Sequence, residues 1–395
     1  MAASSASLRP RLAALLAATA LLLVAACRKE AENPAPTTAD LASLGALPLV
    51  APAPADNPAS PAKIALGRAL FWDPVLSGGR DVSCASCHHP ANGYADALDL
   101  AIGTNGQGLG AARHFRAPND IAFTTRNTPT VLNVAFSGLL PDGSSSPTQA
   151  PMFWDNRARS LETQSVMPVA VLEEMRGHQY PEAVALDSVV ARLRGIAAYR
   201  AQFGAAFAGS EPITVVNMGR ALATFERTLL ATDAPFDQYR RGDNAALTAL
   251  QVQGLTAFVQ SGCAKCHSGP MFSDYQLHTL GVADNPKNPT SDAGANHAYA
   301  FRTPSLRNVA LTAPYMHSGT VPTLQAVLNF YDPGRGQASA ANAHVSVAQR
   351  DPLFPDRVTD PQAIIAFLGA LTAARYDHTV PTTVPSGLPV GGYVQ

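Results

Sequence analysis

Two short motifs constrain this chain more than anything else in it. Of five cysteines in 395 residues, four form C-x-x-C pairs, "CASCH" (Cys84, Cys87, His88) and "CAKCH" (Cys263, Cys266, His267), each followed directly by a histidine. Three chemistries use such pairs. Zinc could take all four thiolates in one tetrahedral site, which leaves both histidines without a task. A thioredoxin-like redox pair needs a βαβ surrounding, and none is visible. Covalent c-type haem accounts for every residue: the thiols add to the porphyrin vinyl groups and the next residue offers its imidazole to iron. Two attached haems are therefore expected, in a fold that must wrap each of them.

The N-terminus reads as an export signal. Arg9 and Arg11 precede "LAALLAATALLLVAAC", an apolar run too short for a comfortable span of about 20 residues. Small residues directly before Cys27 resemble a bacterial lipoprotein signal, so residues 1–27 read as that signal, with Cys27 lipidated. Ordinary cleavage nearby, with Cys27 discarded, is the blander alternative. Residues 28–55 then form a Pro/Ala-rich tether, and the folded body works in the periplasm, touching membrane only through Cys27. A net charge of −1 and pI near 6.8 give no basic footprint for nucleic acid. Only 14% of residues are charged, against 32 Pro and 29 Gly, which favours many fixed loops.

The pattern elsewhere is helical. "SPAKIALGRALFWD" offers Ser60 as N-cap and Pro61 at the first position. "VVNMGRALATFERTLL" sets Met218, Ala221, Leu222, Phe225 and Leu229 on one face. "ALTALQVQGLTAFVQSG" runs into the second motif and stops at Gly262, and Asp360 caps "PQAIIAFLGALTAARY". Stretches 90–130, 137–152, 282–304 and 333–356 read as irregular. The expectation is a mainly α protein of two cytochrome c-like haem domains with long irregular loops and little strand. The domains would cover 56–232 and 233–378, the last helix free to pack back on the first domain, with 379–395 a flexible tail.

Around and between the motifs lies an ordered series: "LGRALFWDPVLS", "RNTPTVLN", "FWDNRARSLETQ", "LEEM", "FERTLL", "FRTPSLRNVALTAPYMHSGTVPTL" and "NFYD". Over about residues 60–375 it resembles the bacterial di-haem cytochrome c peroxidase family, including its MauG-type branch. The resemblance implies that peroxide reacts at the N-terminal haem while the C-terminal haem accepts or stores electrons. It puts Glu174 at the family's catalytic glutamate, Gln164 and Pro168 beside it over the first haem, and Trp154 between the haems. It implies a calcium ion on Asn127 and the carbonyls of Thr312 and Pro314. His88 and His267 become proximal iron ligands.

Tyr331 falls where typical cytochrome peroxidases carry an axial Met and MauG-type proteins a Tyr; Met316 and His317 are the tempting alternatives. A phenolate favours ferric or higher states over receiving an electron. Where many relatives carry a histidine that blocks the first iron, this chain has Thr104. His114 is expected on the surface, and His89 at a propionate or solvent. The implied activity is hydrogen peroxide reduction with electrons from a small cytochrome c or cupredoxin, in a possible homodimer. The alternatives are a MauG-type oxidase of aromatic side chains on a partner protein, and a non-catalytic di-haem carrier or sensor.

Overall fold

The computed structural model describes residue 41 and residues 43–332, 342–354 and 357–394. Cys27, the signal and the tether up to residue 40 lie outside the described residues, as does part of the stretch 333–356. Among the described residues no helix is long and apolar enough to cross a membrane.

The first lobe begins with α1 (Pro61–Trp72), whose Ser60 side chain accepts from Lys63 N. It continues through the short α2 (Cys84–Cys87), α3 (Leu161–Gln164), α4 (Glu182–Gly195), α5 (Ala197–Ala206) and α6 (Val215–Glu226). Met218, Ala221, Leu222 and Phe225 of α6 are fully buried, as the spacing predicts. They pack with Leu66, Leu70 and Phe71 of α1. The second lobe holds α7 (Pro235–Arg240), α8 (Ala249–Gln260), α9 (Leu324–Tyr331) and α10 (Pro361–Gly369). Its core is aromatic: Phe236, Phe258, Phe272 and Phe367 meet at ring separations of 5.1 to 6.0 Å. Among the described residues, strand is confined to two antiparallel pairs, β1 (Gly106–Gln107) with β2 (His114–Phe115) and β3 (Leu277–Thr279) with β4 (Ala300–Arg302).

Both lobes are built on one frame. A Cβ on Gly67 of α1 would stand 2.1 Å from Ala221 O and 2.7 Å from Phe225 Cβ; one on Gly254 of α8 would stand 1.9 Å from Ala363 O and 2.8 Å from Phe367 Cβ. Each helix pair therefore crosses at a glycine because the backbones touch. Beneath each crossing sits a fully buried asparagine with positive φ, Asn133 and Asn308. Asn133 N donates to Leu229 O and its Oδ1 accepts from Ala231 N; Asn308 does the same with Leu371 O and Ala373 N. "TPTVLNVA" and "TPSLRNVA" are the sequence trace of this duplication.

Several expectations need correction. The tether does not run to residue 55, because Leu44 and Leu47 are buried in the second lobe and its neighbouring small core. Leu47 N donates to Asp237 Oδ1, and Gly45 O accepts from Arg307. α10 packs on α8 within its own lobe, not on the first, since their apolar faces and the Gly254 notch fit one another. It also ends at Gly369, short of "AARY", because Asn308 takes residues 371–373 out of helix. What returns to the first lobe is the segment after it, and 379–394 is not a free tail. Ser386 N and Oγ donate to the Asp73 carboxylate, Val384 is buried in the first core, and Gly392 bridges Val82. Residues 44–47 thus clasp the second lobe and residues 384–392 the first.

Candidate haem-binding and active site

One cavity of about 670 Å³ runs through both lobes, and every residue expected at the site lines it. Cys84, Cys87, Cys263 and Cys266 are free thiols on its wall. Burial pushes Cys87 and Cys263 up to about 12, and Cys84 higher still. A single zinc site would have to bring all four sulfurs together. The pairs sit in different cores, and no group of three or more His, Cys, Asp or Glu among the described residues joins one pair to the other.

The histidines are set alike. His88 Nδ1 donates to Tyr94 O at 3.1 Å and His267 Nδ1 to Phe272 O at 2.9 Å. A carbonyl can only accept, so each proton is fixed on Nδ1 and the Nε2 lone pair is left for the cavity. Burial lowers His88 to about 4 and lowers His267 as well, keeping both neutral. Two thiols and one free imidazole nitrogen per lobe, on an apolar-walled cavity, fit a covalent haem in each.

The wall around the first centre comes from one run of chain. Ser160 caps α3, a 3₁₀ turn follows at Met167–Ala170, and a single π-helical turn at Leu172–Arg176. Gln164, Pro168, Val171 and Glu174 recur every three or four residues and all reach the cavity. Burial holds the Glu174 carboxyl above its ordinary range, with Arg157 opposing and Glu173 adding. Gly103 lies so close to this turn that a Cβ would stand 2.2 Å from Glu174 O. Thr104, 7% exposed, donates its N–H to Glu173 O and its hydroxyl to Glu174 O, so it braces the turn and does not line the cavity. His114 is exposed on β2. His89 is half-buried: its ring accepts from Ala91 N on the exposed side and stands edge-on to Trp72 at 5.5 Å.

Trp154 Nε1 donates to Asn127 O at 2.9 Å, and Asn127 N donates to His317 O at 2.7 Å. Asn127 commits its side-chain N–H groups to Leu98 O and Asp99 O. Its Oδ1 and the carbonyls of Thr312 and Pro314 accept no hydrogen bond from the described residues, and all three residues line the cavity. In the second lobe Tyr331 ends α9, and burial raises its phenol, with Cys263 and Cys266 adding. His317 lies elsewhere, stacked on Phe301 at 3.5 Å with Asp292, Arg126 and Asp284 as its charged surroundings. The structure therefore brings Tyr331, not His317, beside the second motif.

Two cavity residues escaped sequence reasoning. His278 is held between Asp274 (3.0 Å) and Asp351 (2.6 Å); the Asp274 bond, then Cys266 and Asp351, push it up to about 11. Glu226 is a buried acid on α6. Only the second left a signal, as a carboxylate on an otherwise apolar helix face.

A fold of two matched haem lobes with an acid-bearing wall over one of them defines a class of di-haem oxidoreductase. A family model described as di-haem cytochrome c peroxidase matches residues 61–245. Methylamine utilization protein MauG of Methylorubrum extorquens is 37% identical over 350 residues, 87% of this chain and 88% of that protein. Cytochrome c551 peroxidase of Pseudomonas aeruginosa is 34% identical over 80% of each chain. The crystal structure of a MauG-like protein associated with microbial copper homeostasis superposes with a TM-score of 0.65 at 27% identity, over 83% of this chain and 95% of that one. The chain belongs to the di-haem cytochrome c peroxidase family, and is an oxidoreductase of the peroxidase type.

Proposed function

We propose that this protein reduces hydrogen peroxide to water at the first centre, with two electrons delivered singly by a small redox protein through the second. The carrying observation is Glu174, a carboxyl held above its ordinary range in the same cavity as the neutral His88. The haems supply redox-active iron when bound, attached through Cys84 and Cys87 on His88, and through Cys263 and Cys266 on His267. Peroxide must lose a proton from one oxygen and gain one on the other before its O–O bond breaks. A carboxyl in the Glu174 position can move that proton between them. Gln164 offers an amide to hydrogen-bond the oxygen species, and Pro168 limits the room beside it. Trp154 lies on the path between the lobes. Thr104, turned away onto the glutamate turn, leaves the first centre open without reductive activation.

Calcium at Asn127, Thr312 and Pro314 belongs to this proposal, supported by three uncommitted oxygens of the kind a hard cation takes. So do export to the periplasm and lipidation at Cys27. The second reading is a MauG-type oxidase that withdraws electrons from aromatic side chains of a partner protein, which Tyr331 at the second centre favours. Mixing the oxidised holoprotein with peroxide and then offering reduced cytochrome c separates the two. Rapid cytochrome oxidation is expected. A long-lived oxidised state indifferent to the donor would favour the protein-oxidising branch.

A further inference from the structure

Glu226 closes α6 in "FERTLL" and has no part in the chemistry above. It is 5% exposed, it lines the cavity, and it acts on the Cys84 thiol from the wall. Its Oε2 is buried without a hydrogen-bond partner among the described residues. Burial raises the carboxyl to about 8, Arg227 opposing and Glu162 adding, so it is an acid and not a carboxylate at neutral pH. An unpartnered buried acid weakens a fold unless something uses it.

The second lobe shows that packing does not require it. The glycine crossing aligns Phe225 with Phe367. One residue further on, the first lobe has Glu226 and the second has Leu368, also 5% exposed and also lining the cavity. The frame takes leucine at this place. The acid belongs to what the first lobe does.

Reduction of peroxide to two waters consumes two electrons and two protons from outside. Glu174 relocates the proton that peroxide brings and is no source of the other two. Next to Glu226, Arg227 forms a two-pronged ion pair with Glu162 at 2.6 and 3.0 Å. Glu162, on α3, also accepts from Asn57 and keeps 17% of its side chain exposed. Of this pair, Glu162 is the more exposed partner, so the Arg227 side of Glu226 is the one nearer solvent. Arg68 of α1 faces Phe225, one residue away.

We propose that Glu226 is the proton-holding residue of the first centre, releasing its carboxyl proton into the cavity as each electron arrives and recovering one from solvent on its Arg227 side. The inference rests on the peroxidase reading. In each round the Glu226 O–H bond breaks and an O–H bond forms on a substrate oxygen, the electron coming from the donor protein. The carboxylate left behind lies next to Arg227 until water reprotonates it; two rounds supply both protons.

The test uses holoprotein carrying both haems, with E226Q and with E226L, the residue of the other lobe. Infrared difference spectra against pH should show a protonated-carboxyl band that vanishes above about pH 8, persists in E174Q and is missing from both Glu226 variants. Dye-monitored proton uptake and cytochrome oxidation should both slow at least about tenfold in E226Q and E226L, with KM for peroxide and the Soret spectrum unchanged. A band that survives in E226Q, or wild-type turnover in E226L, overturns the inference alone. A wild-type protein that shows the band but consumes no peroxide overturns the peroxidase reading, and the delivery step with it.

Discussion

The two lobes share a skeleton and differ in what faces the cavity. Each crosses two helices at a glycine, pins the crossing with a buried asparagine, and fixes an imidazole on a backbone carbonyl. Around the first imidazole the wall carries Glu174, Gln164 and Glu226; the second has Tyr331 and Leu368. The skeleton thus decides where a metal-binding nitrogen points, and a few side chains decide which centre can handle protons. The lobes also differ in their covering. The first is strapped by residues 373–394, whereas the second is held by 43–47 and the buried Arg307–Asp237 pair.

The sharpest break of the comparison is E174Q, which keeps shape and removes the acid. Peroxide turnover should fall by about 10²–10⁴-fold while both haems stay attached, checked by steady-state assay and Soret spectrum. Unchanged turnover would show that Glu174 is not what sets the first centre apart from the second. The shared skeleton is tested by G67V and G254V. Each side chain meets a carbonyl near 2 Å, so each variant should lose about 3 kcal/mol or more in chemical denaturation; a harmless G254V would deny the common frame.

The next effect concerns Glu226. Its folded value, about 8, lies above the ordinary 4.5. The stabilisation is full below about pH 4.5 and is lost as pH rises toward 8, because the folded state holds a proton the unfolded chain releases. Wild-type stability should decline across that window relative to E226L; parallel profiles would show an ordinary carboxylate. Y331M should raise the midpoint potential of the second centre and leave the first in place, since thioether favours ferrous iron and phenolate does not; spectroelectrochemistry checks it. Smallest is S386A, which removes one anchor of the strap and should cost the first lobe about 1 kcal/mol, read as its Tm against that of the second.

Much of this was legible in advance. The haem anchors, the Ser60 and Asp360 caps and the buried face of α6 follow from local chemistry, which spacing records. The site residues from Asn127 to Tyr331 were reachable only through likeness to a family, because nothing in a lone Glu or Tyr announces a cavity. The fate of the chain ends was misread for the same reason. "LPVGGYVQ" looks like a tail, yet Gly391 O accepts from Ser86, and Gly392 approaches Asp81 O too closely for any Cβ.

The sequence by itself determined that the chain takes two haems and which histidine follows each cysteine pair, because thiols and imidazole lie within five consecutive residues. Only the tertiary structure decided that Glu174, Glu226 and Tyr331 share a cavity with them, and that one lobe takes an acid where the other takes leucine. Burial is a property of what surrounds a group, and those surroundings come from segments far apart along the chain.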